Sequence, residues 1–148
     1  MASREHNRDE ILKLVEQDRL EDALDVPIRE ASDKVGRRFR LLAHRHRSDD
    51  ELTGALSKAW AVLRAETPKD LMERLCRVGH TLAQAGDYNA ALRYLETAIR
   101  LPGDRALARK VMAACLNARA VEKANRADEM LKKGQKTLVK NIVYGRWI

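Results

Sequence analysis

Aromatic residues, cysteines and long apolar runs are all scarce in this chain. Its 148 residues include 1 Phe, 2 Trp, 3 Tyr and 2 Cys. No run of about 18 apolar residues occurs, which argues against a membrane-spanning helix. The first residues are too polar for a secretory signal, and both cysteines lie on helical patterns beside apolar neighbours. We therefore expect a cytoplasmic protein whose thiols do not form a disulfide.

Sequence motifs that would bind a metal or carry catalysis are also missing. The chain has no Gly-rich phosphate loop, no paired-cysteine zinc spacing and no His-Glu-x-x-His. His44 and His46 lie two residues apart, so on a helix they would diverge and could not share a metal. Cys76 and His80 lie four apart on one helical face, but no third group completes a nucleophile–base site. We expect a protein that is not an enzyme and uses no cofactor or metal.

Helix-forming residues, in contrast, are abundant. Ala, Leu, Arg and Glu dominate the composition, and all four favour helix. Apolar residues recur at intervals of three and four along most of the chain, which is the spacing of one helical face. The sequence predicts an all-α fold of about seven helices in antiparallel hairpins. We divide it into an N-terminal helical subdomain, residues 1–66, and a C-terminal unit, residues 67–148.

The N-terminal subdomain contains four predicted helices. The first begins near Asn7 and is interrupted at residues 17–19, and the second should end or kink at Pro27, which lacks an N–H donor. The third should run for about twenty residues after Pro27. Ser48 and Glu51 have the spacing of a capping box and predict the start of the fourth helix. The apolar stripe of the third helix consists of Ile28, Ala31, Val35, Phe39, Leu42 and His46.

The sequence of residues 69–104 predicts a helical hairpin. Thr67 precedes it as a capping residue, and Pro68 suits the first helical position. Gly86 can adopt the left-handed conformation that ends a helix, and the Pro-Gly pair at 102–103 should end the second helix. The apolar stripes are Leu71, Leu75, Val78 and Leu82 on the first helix and Ala91, Leu95 and Ala98 on the second.

Ten residues of this hairpin follow a known repeat pattern: Leu75, Val78, Gly79, Leu82, Gly86, Tyr88, Ala91, Leu95, Ala98 and Pro102. The hairpin resembles one tetratricopeptide repeat, whose period is about 34 residues. The resemblance implies a protein-binding module without catalytic activity, with a groove lined by the outer face of the first helix. Because one hairpin cannot bury its own apolar face, the groove is either open or covered by neighbouring helices. The groove residues implied are Glu73, Cys76, His80, Ala83 and Gln84.

Beyond the hairpin, the sequence predicts one long helix and a basic, apolar tail. Asp104 should cap the helix, and Lys132-Lys133-Gly134 should end it with cations followed by glycine. Residues 135–148 suit either a final helix or a strand. The tail carries residue types that often anchor interfaces, so we expect it either to bind a partner or to fold back onto the core. The predicted helix stripe is Leu107, Val111, Ala114, Ala118, Val121, Ala124 and Leu131. The tail residues are Tyr144, Arg146, Trp147 and Ile148.

The net charge of +7 is unevenly distributed along the chain. Residues 1–66 carry 13 Lys+Arg against 14 Asp+Glu, whereas residues 105–148 carry 11 against 3. Such a basic region suits an acidic partner, or it is a solvated helix surface. Two basic clusters could also contact the phosphates of RNA or DNA with little sequence preference. The first is Arg37, Arg38, Arg40, Arg45 and Arg47, and the second is Lys132, Lys133, Lys136 and Lys140.

The sequence supports three functional hypotheses. The leading one is a helical adaptor that binds another protein through the groove, the tail or both. Nucleic-acid binding through the basic helix faces is the second. The third concerns residues 11–24, 39–47 and 48–66, which resemble effector-associated helical domains of prokaryotic conflict systems. That resemblance implies recruitment of effectors by like-with-like contacts, and so an adaptor that joins two recruitment surfaces. A second copy of the chain is a further candidate partner.

Overall fold

The computed structural model describes residues 6–143, and their side chains as far as Thr137. The described residues form seven α-helices and no strand, which confirms the all-α expectation. Buried apolar side chains form two clusters, an N-terminal cluster within α1–α4 and a C-terminal cluster within α5–α7. The helices are α1 Arg8–Glu16, α2 Leu20–Leu24, α3 Ser32–Arg45, α4 Asp50–Ala65, α5 Pro68–Gln84, α6 Tyr88–Arg100 and α7 Ala106–Val143.

The first two helices lie where the sequence predicts them. Asn7 caps α1 by accepting a hydrogen bond from the N–H of Glu10 at 2.9 Å. Asp18 takes a left-handed conformation, with φ of 59°, in the break between α1 and α2. Asp25 is also left-handed, with φ of 56°, and closes the end of α2. The second helix therefore ends at Leu24, three residues before Pro27, through its own cap at Asp25.

The third helix is shorter than predicted. It begins at Ser32 rather than just after Pro27. Arg29 adopts a left-handed conformation with φ of 68°, which interrupts the helical path. Ile28 and Ala31, two members of the predicted stripe, consequently lie before the helix.

The fourth helix is capped one residue later than predicted. Asp49, not Ser48, accepts a hydrogen bond from the N–H of Leu52 at 3.1 Å. Aspartate caps a helix as well as serine does, and its charge also suits the positive end of the helix dipole. Glu51 pairs with Arg8 of α1 at 2.5 Å instead of completing a capping box.

Helices α5 and α6 pack against each other across a short turn. Thr67 and Asp70 form a capping box at the start of α5, with N–H to oxygen distances of 3.1 and 3.3 Å. Gly86 takes the expected left-handed conformation in the turn, with φ of 84°. Where the helices meet, a Cβ added to Gly79 would lie 2.6 Å from Leu95 Cγ. The missing side chain of Gly79 therefore allows this close approach.

We predict that Gly79→Ala destabilises the fold by about 1–3 kcal/mol, because the new methyl group would displace Leu95 or force the helices apart. Gly54→Ala is the matched control. It lies within α4 with nothing within 4 Å of its added Cβ, so it should stabilise the protein by up to about 1 kcal/mol. Urea unfolding of both variants tests the prediction. Equal effects of the two substitutions would contradict it.

The last helix differs most from the prediction. Helix α7 does not end at Gly134 but continues to Val143, giving 38 residues and a length of about 57 Å. A glycine within a helix costs only about 1 kcal/mol relative to alanine, which is too little to end a long helix.

The predicted apolar stripe of α7 is correct only in part. Val111 packs against the C-terminal cluster, but the fully buried residues of the helix, Ala108 and Cys115, lie on another face. Leu107, Val121 and Leu131, three residues of the predicted stripe, are about half or more exposed, at 52%, 50% and 61%. Only the first part of α7 reaches the hairpin, so periodicity over the whole helix could not identify the buried face.

Arg74 connects the two halves of the chain. The residue is 3% exposed, and its guanidinium pairs with Glu21 of α2 and with Glu66 after α4, the latter at 2.7 Å. It also donates to the carbonyl oxygen of Asp18 at 2.9 Å. Burial alone would lower the pKa of Arg74, but hydrogen bonds to Glu66 and Glu21 raise it, so the side chain stays charged. The Cα atoms of α2 and α5 stay more than 8 Å apart, so long side chains make this contact.

Asp22 forms a second polar contact between the halves. Its carboxylate accepts hydrogen bonds from Arg93 at 2.7 Å and from the hydroxyl of Tyr94 at 2.6 Å, and it pairs with Arg19 at 3.0 Å. Burial raises the pKa of Asp22, but the bonds from Arg93 and Tyr94 outweigh it and hold the pKa below its usual range. This carboxylate therefore stabilises the fold in its ionised form.

We predict that Arg74→Met lowers the free energy of unfolding by about 3–5 kcal/mol, because it leaves the buried carboxylate of Glu21 without its partner. Arg77→Met is the control: Arg77 pairs with Asp18 at 3.1 Å on the surface, and such a pair contributes at most about 1 kcal/mol. Denaturant unfolding measures the free energy of unfolding of both variants. A similar small loss in the two variants would show that the Arg74 pair does not stabilise the junction.

We predict that Asp22→Asn is less stable than the natural chain at pH 7, and that the difference narrows as the pH falls below about 4. The folded pKa of Asp22 is lowered, so its contribution is present above the unfolded pKa and is lost as the pH falls through the folded pKa. Urea unfolding at several pH values between about 2 and 7 tests this. A difference that stays constant over that range would contradict it.

Candidate protein-interaction surface

One side of α5 is exposed along its length. Its side chains recur at intervals of three and four, so they share one helical face, opposite Leu75 and Leu82 in the core. Three predicted groove residues, Glu73, His80 and Gln84, lie on this exposed face. We name it the α5 strip, and it consists of Lys69, Asp70, Glu73, Arg77, His80, Thr81 and Gln84.

The other two predicted groove residues turn toward the interior. Cys76 is 3% exposed within the C-terminal cluster, and Ala83 is partly buried against that cluster. Helix α7 packs on both α5 and α6, and its Cys115 belongs to the same cluster. Burial raises the pKa of the Cys76 thiol, which makes it a poor nucleophile. The predicted groove is therefore partly covered, and Cys76 is not accessible to a partner.

A pocket lies at the N-terminal end of the α5 strip. It encloses about 340 Å³ between the start of α5 and the connection from α6 to α7. Met72 and Leu107 supply apolar walls, while Lys69 and Glu73 supply charges of opposite sign. This volume is at the lower end of the range of ligand pockets, and it suits one large apolar side chain. Sequence reasoning missed the pocket because it assigned Leu107 to the core stripe.

The α5 strip meets the connection between α1 and α2 on its other side. Arg77 pairs there with Asp18, and a cleft of about 410 Å³ opens beside them. Lys13, Val78 and Thr81 are among the residues that line it. The strip is thus bordered by concave surface on both sides.

The basic cluster on α3 is only partly exposed. Arg37, Arg40 and Arg47 are on the surface. Arg38 instead turns toward α2, where it pairs with Asp25 at 3.3 Å and donates to the carbonyl oxygen of Leu24. Arg38 is therefore engaged within the fold. Arg45 is exposed in the last turn of α3.

The second basic cluster lies on a different part of the molecule. Helix α3 packs on α2 and α4, whereas α7 packs on α5 and α6. Lys132, Lys133 and Lys136 are exposed on α7, and Lys132 pairs with Asp128 at 3.1 Å. Lys140 belongs to the same helix, but its side chain lies outside the described residues. The predicted tail residues, Tyr144, Arg146, Trp147 and Ile148, also lie outside the described residues.

Sequence reasoning missed the buried charges of the junction, although a signal was present. Arg74 lies three residues after Leu71 and four before Val78, which places it on the apolar stripe of α5. Burying an unpaired charge is costly. A charged residue at such a position therefore predicts a buried carboxylate from elsewhere in the chain, and Glu21 supplies it.

Between residues 6 and 143, no helix combines the length and apolar character needed to cross a membrane. In this same part of the chain, no cluster of His, Cys, Asp and Glu has the arrangement of a metal site. No protein-family model, curated protein or solved structure matches the chain.

Proposed function

We propose that this chain is a non-enzymatic helical adaptor that binds another protein along the α5 strip. One observation carries the proposal: the exposed polar strip leads into the pocket walled by Met72 and Leu107. A partner can insert an apolar side chain there and place polar groups beside Glu73 and His80. Protein interfaces typically combine a buried apolar anchor with a polar rim.

The two resemblances stated above support the same class of function. Tetratricopeptide repeats and effector-associated helical domains both act by binding proteins. The tail residues Tyr144, Arg146, Trp147 and Ile148 are a second candidate contact, because aromatic residues and arginine are enriched among interface anchors. Neither resemblance identifies the partner.

We predict that the double substitution Glu73→Lys and Leu107→Lys lowers recovery of a discrete partner protein at least about tenfold, because it places charge in the anchor pocket. Affinity capture from nuclease-treated native lysate measures the recovery. The double substitution Glu96→Lys and Leu41→Lys is the matched control, since it makes the same two charge changes at exposed positions of α6 and α3. A chain ending at Val143, the last residue of α7, shows separately whether the tail contributes.

Equal recovery with all variants would contradict binding at the α5 strip. Nucleic-acid binding is the second candidate function, and the exposed Lys132, Lys133 and Lys136 favour it. Contacts to phosphates weaken steeply with added salt. Captured material that disappears after nuclease treatment or in moderate salt would therefore favour nucleic acid over the adaptor.

A further inference from the structure

Helix α7 presents different faces in its two halves. In the first half, Ala108 and Cys115 are buried against the hairpin. Near the middle, the carboxylate of Glu122 raises the pKa of the Tyr88 hydroxyl on α6. From Lys123 to Thr137 every side chain is exposed. The second half of α7 therefore extends beyond the body of the protein.

From Asn117 onward, α7 carries a seam of mostly small or apolar residues, which does not continue the buried face. Its members are spaced alternately by three and four residues, which is the heptad repeat of a coiled coil. The first of them lies two residues after Cys115, which is about half a turn around the helix. They therefore lie on the side of α7 opposite Ala108 and Cys115. The seam consists of Asn117, Ala120, Ala124, Ala127, Leu131 and Gly134, all exposed.

The same repeat determines where the other residues of this part of α7 lie relative to the seam. Three of the exposed large apolar side chains, Leu116, Val121 and Met130, directly flank the seam. The charged residues of the outer segment lie mainly on the opposite side. These are Arg126, Glu129, Lys132, Lys133 and Lys136. Such a distribution is typical of a helix that is covered on one side and solvated on the other.

We propose that this seam binds the same seam of a second copy of the chain, forming a parallel, in-register, two-stranded coiled coil. This surface is separate from the α5 strip, and the inference does not depend on the proposed adaptor function. The small residues of the seam let two helix backbones approach to about 8 Å. An unpaired helical segment of this length is marginally stable in water, so a partner helix would also stabilise the outer half of α7.

One complementary charge pair favours a second copy as the occupant. In a parallel pair, the residue just before Asn117, Ala124 or Leu131 faces the residue five positions later on the other helix. Lys123 of one copy then faces Asp128 of the other, and Leu116 likewise faces Val121. Asp128 also pairs with Lys132 of its own helix at 3.1 Å, and it is exposed enough to accept from both cations.

The polar seam residue supports the same arrangement. Asn117 lies at a seam position where two copies would place their amides against each other. A single asparagine at this kind of position sets the register and favours two strands. The body of each copy lies on the far side of α7, so the two bodies would not collide when the seams pair.

Sedimentation of the full chain over a range of concentrations tests the pairing. We expect a dimer, and we expect Leu131→Glu to weaken self-association at least about tenfold, since it places charge in the seam. Asn125→Glu, which adds the same charge on the solvated side, should leave the dimer intact. Leu131 is 61% exposed in the single chain, so its variant should keep its helical circular dichroism.

A chain that stays monomeric up to about 200 µM would overturn the proposal. Equal dimerisation of Leu131→Glu and Asn125→Glu would also overturn it, because another surface would then form the dimer. If the seam pairs only when a different protein is added, it binds that protein and not a second copy of the chain, and the proposal fails.

Disulfide trapping tests the orientation. Ala127→Cys places identical positions of two parallel helices within reach of a disulfide, so mild oxidation should give a covalent dimer. Arg126→Cys, one residue away on the solvated side, should not. The natural Cys76 and Cys115 are buried and should not contribute. Equal trapping of the two variants, or none in either, would overturn the parallel arrangement.

Discussion

The guanidinium of Arg74 bridges two parts of the chain whose backbones remain apart. It is nearly buried and reaches Glu21, Glu66 and the carbonyl oxygen of Asp18. A buried ion pair adds little net stability compared with apolar packing, yet an unpaired charge in the same place is strongly destabilising. The two halves are therefore stable in the arrangement that pairs Arg74 with its carboxylates, and any displacement that separates these charges is destabilising. Asp22 adds a second polar contact close by and reinforces this selectivity.

That selectivity matters for the α5 strip, since its two borders belong to different parts of the chain. The pocket beside Leu107 is formed by the hairpin and the start of α7, whereas Arg77 faces Asp18 from the N-terminal half. If the halves could shift, the cleft beside Arg77 would have no defined shape. The ionic contacts of Arg74 and Asp22, together with the packing of Ile28 against the C-terminal cluster, therefore set the outline of the candidate surface.

Local features of this fold could be predicted from the sequence, and features that depend on neighbours could not. The helix cap at Thr67 and the left-handed turn at Gly86 depend only on nearby residues, and both were predicted. The buried face of α7 depends on where the hairpin ends, so the predicted stripe included Leu131, which is exposed. The burial of Cys76 has the same origin, because α7 covers the inner side of α5.

The different faces of α7 bear on how the proposed surfaces would act together. Parallel pairing through the seam around Leu131 would place both bodies at the same end of the dimer, each with its α5 strip on the body. Two linked sites raise the effective local concentration of a multivalent partner, and avidity can exceed single-site affinity by about 10²–10⁴. A weak α5 site would then be sufficient for an adaptor, because pairing would supply the remaining affinity. A monomeric variant would bind the monovalent and bivalent forms of one partner with similar affinity. The dimer would bind the bivalent form more tightly than the monovalent form.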